Sequence, residues 1–313
     1  MNPYFPGAVG FLVAALVTAL SVRFWRLRLS GDGWVDRPRP DRHSLRAVPR
    51  IGGPAWLSGM VVGLLILSLL EARGFGYAQA HVASASLLAV AMLLAFTLGR
   101  WEERGEFRAG FKWRLQLLLL LLTVLGLMLA QGSQADPINV PKLRLLVALG
   151  VATLLQLALN IADNLDGALG AASLFGLLGL ALAGHGFIPA ADAAWAGAGA
   201  TLGFLCWNLP PARIFLGNGG SEMLSLLAAA LLAVAWARPT AEPRWTLLLP
   251  FAWPLFDFVF VVLRRLREGR KPWQGGRDHT THLLARRFGS DRPVTALLLL
   301  VAAIGLAVAF LSI

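Results

Sequence analysis

The segment 160–167, Asn-Ile-Ala-Asp-Asn-Leu-Asp-Gly, carries the most distinctive pair of acidic side chains in the sequence. Asp163 and Asp166 are three residues apart, so on a helical turn both carboxylates project to the same side. Two carboxylates that close repel each other unless a proton or a cation lies between them. Hard oxygen ligands favour Mg²⁺, with Mn²⁺ as an alternative. The segment therefore predicts a metal-linked site or, as the simpler alternative, a polar turn that Asp and Asn cap.

Four further polar segments have residue types that suit phosphate chemistry. They are Glu102-Glu103 with Lys112 shortly after, the Gly-rich segment 203–221, loop 275–282 with one arginine and two histidines, and segment 36–53. Backbone amides at the start of a helix can receive a phosphate oxygen. Each segment alone has a simpler explanation, such as loop flexibility or a hydrogen-bonded histidine. Together they suit transfer of a phosphate-linked group, in which positioning and charge neutralisation dominate catalysis.

The elements that must position these segments are membrane spans. Of the 313 residues, 57% are hydrophobic and 14% charged, and the mean hydropathy is +0.66, whereas a soluble domain is about one quarter charged. A bilayer span needs about 20 apolar residues. Such windows predict an all-α, polytopic integral membrane protein, a single membrane domain over residues 1–313. The sequence predicts about ten spans, which cover residues 5–22, 53–71, 81–98, 115–131, 143–160, 169–186, 192–208, 219–237, 245–263 and 293–312.

The basic residues predict which face of the membrane the polar segments share. Alternate connections carry 23 of the 28 Lys and Arg residues, namely 23–52, 99–114, 161–168, 209–218 and 264–292. Because the side rich in Lys and Arg stays in the cytoplasm, we expect these connections on the cytoplasmic face of the inner membrane and both termini outside. The net charge of +11 is then a topology signal and indicates no nucleic-acid partner. Cys206 is the only cysteine, which excludes an intrachain disulfide.

Five segments share their residues and their order with one family of membrane transferases. The first holds Asp36, Pro38, His43, Pro49, Arg50, Gly52 and Gly53, and the second holds Asn160, Asp163, Asp166 and Gly167. The third holds Asn208, Pro211, Ala212, Phe215, Gly217 and Ser221, the fourth Pro254, Leu255, Phe256 and Asp257, and the fifth Arg277, Asp278, His279 and His282. Over nearly its whole length the chain resembles the polyprenyl-phosphate N-acetylhexosamine-1-phosphate transferase family.

The resemblance implies a reaction and a set of roles. A UDP-sugar, usually a UDP-N-acetylhexosamine, would give its sugar-1-phosphate to a polyprenyl phosphate lipid and leave UMP, as the first membrane step of cell-envelope glycan synthesis. The expected catalytic residues are Glu102, Glu103, Asp163, Asp166, His279 and His282. The expected substrate-binding residues are His43, Arg50, Lys112, Asn160, Asn208, Arg213 and Arg277. The resemblance further implies a requirement for Mg²⁺ and a homodimer formed through the spans.

Departures from the family's pattern bear on the metal. The family has a pair of Asp residues where this chain has Glu102 and Glu103, whose side chains are one methylene longer. Asn218 stands where the family has a metal-binding Asp. We hypothesise that Glu222, one helical turn further on, supplies the carboxylate that Asn218 lacks. The alternative is that Glu222 makes an ordinary hydrogen bond at the start of a helix. The expected metal ligands are therefore Glu103, Asp166, Asn218 and Glu222.

Three alternative functions are compatible with parts of the sequence. A non-catalytic family member that binds polyprenyl phosphate or a partner enzyme would account for the departures. A membrane transporter usually places its substrate site near the bilayer midplane, whereas these polar residues gather at one face. CDP-alcohol phosphotransferases share the pattern of Asp163, Asp166 and Gly167, but Gly170 and Ala171 replace the Ala-Arg pair that should follow.

Overall fold

The computed structural model describes residues 4–29, 31–37, 47–70, 75–105, 109–130, 140–184, 188–237, 245–273 and 276–312. Within these ranges the chain forms eleven α-helices and one small two-stranded sheet. The helices are α1 (Phe5–Arg28), α2 (Gly52–Leu70), α3 (Phe75–Glu103), α4 (Ala109–Ala130), α5 (Lys142–Ile161), α6 (Ala168–Ala183), α7 (Ile188–Asn208), α8 (Gly217–Ala237), α9 (Ala252–Arg267), α10 (Thr280–Phe288) and α11 (Asp291–Leu311). The predicted all-α class is confirmed.

The helices make the chain an integral membrane protein. In the described ranges, eight helical segments are long and apolar enough to cross a bilayer. The other two predicted spans correspond to α6, which is apolar but only 16 residues long, and to α7, which has 21 residues. Nearly all of α6 is buried among other helices, so its length need not match the thickness of the lipid.

The helix α8 lies at the centre of the bundle. Of its most apolar 18-residue window 94% is buried, against 33% for α1 or α5. It packs against six other helices, α2, α3, α4, α5, α6 and α7. A helix that is apolar on all faces is buried on all faces, and the polar residues near its start are therefore held inside the protein.

The polar connections meet at one end of the bundle, around the start of α8. The strands β1 (Val35–Asp36) and β2 (Val48–Pro49) pair in antiparallel register. The amide of Phe215 donates to the carbonyl of Pro49 at 2.8 Å, and the amide of Gly52 donates to the carbonyl of Phe215 at 2.9 Å. These hydrogen bonds attach the connection between α1 and α2, called the first connection below, to the segment that enters α8.

Candidate functional site

The ends of α3, α4 and α8 bring Glu102, Lys112 and Asn218 together. Lys112 Nζ donates to Glu102 Oε2 at 2.6 Å, and Asn218 Nδ2 donates to the same oxygen at 3.0 Å. Lys112 is buried, so its charge depends on nearby carboxylates rather than on water. Lys112 and Asn218 thus meet at one carboxylate oxygen of Glu102, so the acidic pair and the amide, which the sequence singled out separately, are in direct contact.

Glu222 is the most deeply buried acid of this cluster, at 1% exposure. Its carboxylate accepts from Gln116 Nε2 at 2.5 and 2.6 Å and from Asn160 Nδ2. Lys112 Nζ lies 2.8 Å from Glu222 Oε1. A buried carboxylate needs both a counter-charge and hydrogen-bond donors, and Glu222 has both. Lys112 therefore lies between two carboxylates, and Asn160 connects the cluster to the end of α5.

Glu103 is held at the N-terminus of α8. Its Oε1 accepts from the backbone amide of Asn218 at 2.6 Å, where the helix dipole favours a negative charge. Its Oε2 pairs with Arg100 and lies 3.9 Å from Arg50 Nη1. Arg50 in turn pairs with Asp36 of β1. The charge of Glu103 is therefore compensated by cations of the chain itself, and the same ion pairs fasten the first connection to the site.

The segment between α5 and α6 is anchored by backbone hydrogen bonds. Gly167 has φ +77°, a left-handed conformation that favours glycine, and its amide donates to Asn208 Oδ1 at 2.9 Å. Asp166 Oδ2 accepts from the amide of Ala212 at 2.8 Å. Asp163, three residues earlier, has an exposed side chain. The two carboxylates therefore have different surroundings, and Asp166 holds the chain that leads to α8.

A histidine at the start of α10 is oriented by an acid of α9. His279 Nδ1 and Asp257 Oδ2 are 2.7 Å apart, and Asp257 Oδ1 accepts from the amide of Thr280 at 2.7 Å. Both His279 and Asp257 are buried. Because the carboxylate engages Nδ1, the other ring nitrogen, Nε2, is the one available to a ligand.

The rest of α10 is attached to the 160–167 segment. Thr281 Oγ1 donates to Asn164 Oδ1 at 2.6 Å, and His282 Nε2 bonds to the carbonyl of Asn164 at 3.0 Å. The Nε2 atom of His282 is thus engaged by the backbone, whereas the Nε2 atom of His279 is available to a ligand. Of the two predicted histidines, His279 has the geometry to act on a substrate, and His282 joins two segments of the site.

An ion pair connects the end of α9 to the segment before α10. Arg265 Nε and Nη2 donate to the two carboxylate oxygens of Asp278 at 2.8 and 2.7 Å. These hydrogen bonds hold the pKa of the Asp278 carboxyl well below its usual range. The neighbouring Arg277 is half-buried, and within the described part of the chain its Nε has no hydrogen-bond partner.

The structure brings the predicted site residues that it describes to this end of the bundle. Two of them, Asp163 and Arg213, have exposed side chains. His43 lies outside the described residues. The sequence assigned no role to Gln116, Arg265 or Asp257, although Asp257 lies in one of the five matched segments. A polar or charged residue within an apolar span is itself a sign of function or of a buried partner.

The four predicted metal ligands do not fit a divalent cation. Glu222 is bound by an ammonium and two amide groups, Glu103 by an arginine and an amide, and Asp166 by a backbone amide in another segment. Asn218 presents its NH₂ group to Glu102. Across the described ranges, no three Asp, Glu, His or Cys side chains are grouped so as to hold a metal. The negative charges of the cluster are instead compensated by lysine and arginine.

Comparison with known proteins finds one similar family and several similar membrane transferases. Residues 84–236, from α3 to α8, match the model of glycosyl transferase family 4. The chain is 28% identical to the decaprenyl-phosphate N-acetylglucosaminephosphotransferase of Mycobacterium tuberculosis (strain ATCC 25618 / H37Rv), over 92% of its own length and 78% of that relative. It is 26% identical to the undecaprenyl-phosphate alpha-N-acetylglucosaminyl 1-phosphate transferase of Escherichia coli (strain K12), over 92% and 79%. A probable undecaprenyl-phosphate N-acetylglucosaminyl 1-phosphate transferase of Bacillus subtilis (strain 168) is 25% identical, over 93% and 80%. Residues 84–236 are therefore similar to glycosyl transferase family 4, and most of the chain is similar to polyprenyl-phosphate N-acetylglucosamine phosphotransferases.

Proposed function

We propose that the chain transfers a sugar-1-phosphate from a UDP-N-acetylhexosamine to a membrane polyprenyl phosphate. An oxygen of the polyprenyl phosphate would attack the sugar-bound phosphorus. The new P–O bond forms as the bond from that phosphorus to the bridging oxygen breaks, and UMP leaves with the electron pair. The relatives named above are transferases of this type by name, which supports the proposal.

One observation carries the proposal, namely that three polar segments are joined by direct hydrogen bonds at one end of an apolar bundle. Asn160 contacts Glu222 of α8, and Asn164 contacts Thr281 of α10. A lipid phosphate can reach such a surface from the bilayer, and a nucleotide can reach it from water. Phosphoryl transfer depends mainly on positioning and charge neutralisation, and this surface offers both.

The residues of the chain have distinct roles in the proposal. The buried Nε of Arg277, with no partner among the described residues, is a donor suited to a phosphate oxygen. His279 can donate from Nε2 because Asp257 engages Nδ1. The start of α8 favours an anion, and the amide of Asn218 there donates to Glu103. We derive no step through a metal ion, because the predicted ligands do not fit one.

Incorporation of a labelled sugar into lipid tests the proposal. Purified protein would be incubated with undecaprenyl phosphate and a panel of radiolabelled UDP-sugars, and both lipid-linked label and released UMP would be measured. We expect both products with a UDP-N-acetylhexosamine, and about 100-fold less after Arg277→Gln. The matched control is Arg287→Gln, which removes an exposed arginine of α10. Absence of both products with every UDP-sugar would overturn the proposal.

The same assay tests the orientation of the site. We propose that the site faces the cytoplasm and that both termini lie outside, because the connections at this end carry most of the Lys and Arg residues. A UDP-sugar does not cross a sealed bilayer. Inside-out inner-membrane vesicles should therefore incorporate the label, and right-side-out vesicles should not, whereas the reverse would contradict this orientation.

A second candidate function is binding of polyprenyl phosphate without transfer. Two observations favour it: Asn218 replaces an acid of the family's pattern, and Glu102 and Glu222 are both paired with Lys112. In that case labelled polyprenyl phosphate would bind the purified protein saturably, while no UDP-sugar would yield UMP. Binding and UMP release together separate the two candidates.

A further inference from the structure

We propose that the ammonium group of Lys112 takes the position between carboxylates that a divalent cation would otherwise occupy, so that the substrate-free protein has no divalent-cation site at this cluster. The proposal concerns cation binding by the folded chain. It therefore stands apart from the transfer reaction proposed above.

The position of the ammonium group is the first step of the argument. Lys112 Nζ lies 2.6 Å from Glu102 Oε2 and 2.8 Å from Glu222 Oε1, so it bridges the two acids. Lys112 is 8% exposed and Glu222 is 1% exposed. A divalent ion between the same oxygens would meet a positive charge at contact distance. Because burial weakens screening, the repulsion there is strong.

The groups around Glu222 are the second step. Gln116 and Asn160 both present NH₂ groups to its carboxylate. A metal shell consists of acceptor oxygens, whereas this shell consists of donors. The surroundings of Glu222 therefore suit a carboxylate that is paired with an ammonium group and hydrogen-bonded by amides. They do not suit a carboxylate that coordinates an ion.

The two departures from the family's pattern act together, which is the third step. Asn218 is neutral and donates to Glu102, while Glu222, one turn further along α8, adds a carboxylate where Lys112 reaches it. The cluster has therefore lost one negative charge at Asn218 and gained one at Glu222. The negative charge therefore lies at Glu222, where the ammonium group of Lys112 compensates it.

Titration of the substrate-free protein with Mn²⁺, followed by electron paramagnetic resonance, tests this inference. We expect no saturable binding by the wild-type protein. The double variant Asn218→Asp/Glu222→Ala restores the family's acid and removes the second partner of Lys112. We expect it to bind one Mn²⁺ per chain saturably, at concentrations at least about 10-fold below the highest at which wild type shows no binding. Lys112→Gln removes the bridging cation and should also gain binding, because the acids that it leaves behind repel each other.

The control for the lysine variant is Lys271→Gln, which removes an exposed lysine and should bind Mn²⁺ no better than wild type. Circular dichroism and size-exclusion chromatography in detergent identify variants that retain the fold, and the double variant keeps the result interpretable if Lys112→Gln unfolds. A wild-type protein that binds Mn²⁺ as tightly as the double variant would overturn the inference. So would a folded double variant that binds no better than wild type. Neither result depends on UDP-sugar turnover.

Discussion

At the scale of single residues, Asp257 determines which nitrogen of His279 faces the site. Its carboxylate engages Nδ1 at 2.7 Å and so leaves Nε2 for a phosphate oxygen. Asp257→Asn can place an NH₂ group against Nδ1, and a donor facing a donor would turn the ring or change its tautomer. We expect the proposed transfer to slow by about 100-fold, the scale of a lost proton donor. The measurement is the initial rate of lipid labelling at saturating UDP-sugar.

Glu268→Gln is the matched control for that substitution. Glu268 follows the end of α9, is exposed, and pairs only with the surface residues Arg264 and Arg270 in the described ranges. Exposed ion pairs contribute little to stability, so its transfer rate should equal that of wild type. Equal rates for both variants would show that Asp257 does not orient the histidine for the reaction.

The sequence pointed to the residues of the candidate site, but it did not predict which side chains pair with each other. Glu102 was singled out by its type and its place after a span, and Asn218 and Glu222 were singled out through the resemblance to the family. The pairing of Lys112 with Glu222, by contrast, depends on how α4 packs against α8. No rule of sequence spacing predicts a contact between residues so far apart in the chain. From the sequence alone, a metal ion is the simplest way to balance these acids. The structure places lysine and arginine side chains from other helices and segments beside them.

At the scale of elements, the Arg265–Asp278 ion pair fixes α10 relative to α9. Both side chains are buried, and Asp278→Asn would leave the guanidinium without its counter-charge. Breaking a buried pair costs about 3 kcal/mol or more in the free energy of unfolding. Thermal unfolding in detergent at pH 7 should therefore show a lower Tm for Asp278→Asn than for wild type. The Glu268→Gln variant serves again as the exposed control and should unfold as wild type does.

The same pair predicts how stability depends on pH. The hydrogen bonds from Arg265 lower the pKa of Asp278 in the folded protein, whereas the carboxyl of an unfolded chain has a pKa of about 3.9. The contribution of the pair is thus fully present above that value and is lost as the pH falls towards the folded pKa. The difference in Tm between wild type and Asp278→Asn should shrink below about pH 4. A difference that stays constant on acidification would show that the pair is not its cause.

Several elements could not be read from hydrophobicity alone. Ten apolar windows identified the long helices, because a span is an unbroken apolar run. The helix α10 has only nine residues and lies within a polar connection, and Pro250 falls in a 3₁₀ segment, Trp245–Phe251, that precedes α9. Such short elements depend on local hydrogen bonds and on proline geometry. Window hydropathy does not detect either.

At the scale of the whole molecule, small residues let the helices of the bundle approach closely. The Cα atoms of Gly199 and Gly203 on α7 face the backbone of α1, so that an added Cβ would meet the carbonyl oxygens of Phe11 and Ala15. Glycine at helix contacts is the usual device of membrane bundles, where packing replaces the hydrophobic effect as the driving force. The sequence shows these glycines, but only the structure shows which of them face another helix.

Two glycine-to-alanine substitutions separate that packing from helix propensity. In Gly199→Ala the new Cβ would lie 2.8 Å from the carbonyl carbon of Phe11, whereas nothing lies within 4 Å of a Cβ added at Gly150 on α5. Alanine in place of glycine favours a helix by about 1 kcal/mol at either position, while overpacking costs about 1–3 kcal/mol. We therefore expect Gly150→Ala to raise the Tm slightly and Gly199→Ala to lower it, as measured by thermal unfolding in the same detergent. Equal shifts for the two variants would mean that α1 and α7 can separate freely, and the close packing of the bundle would then contribute nothing to its stability.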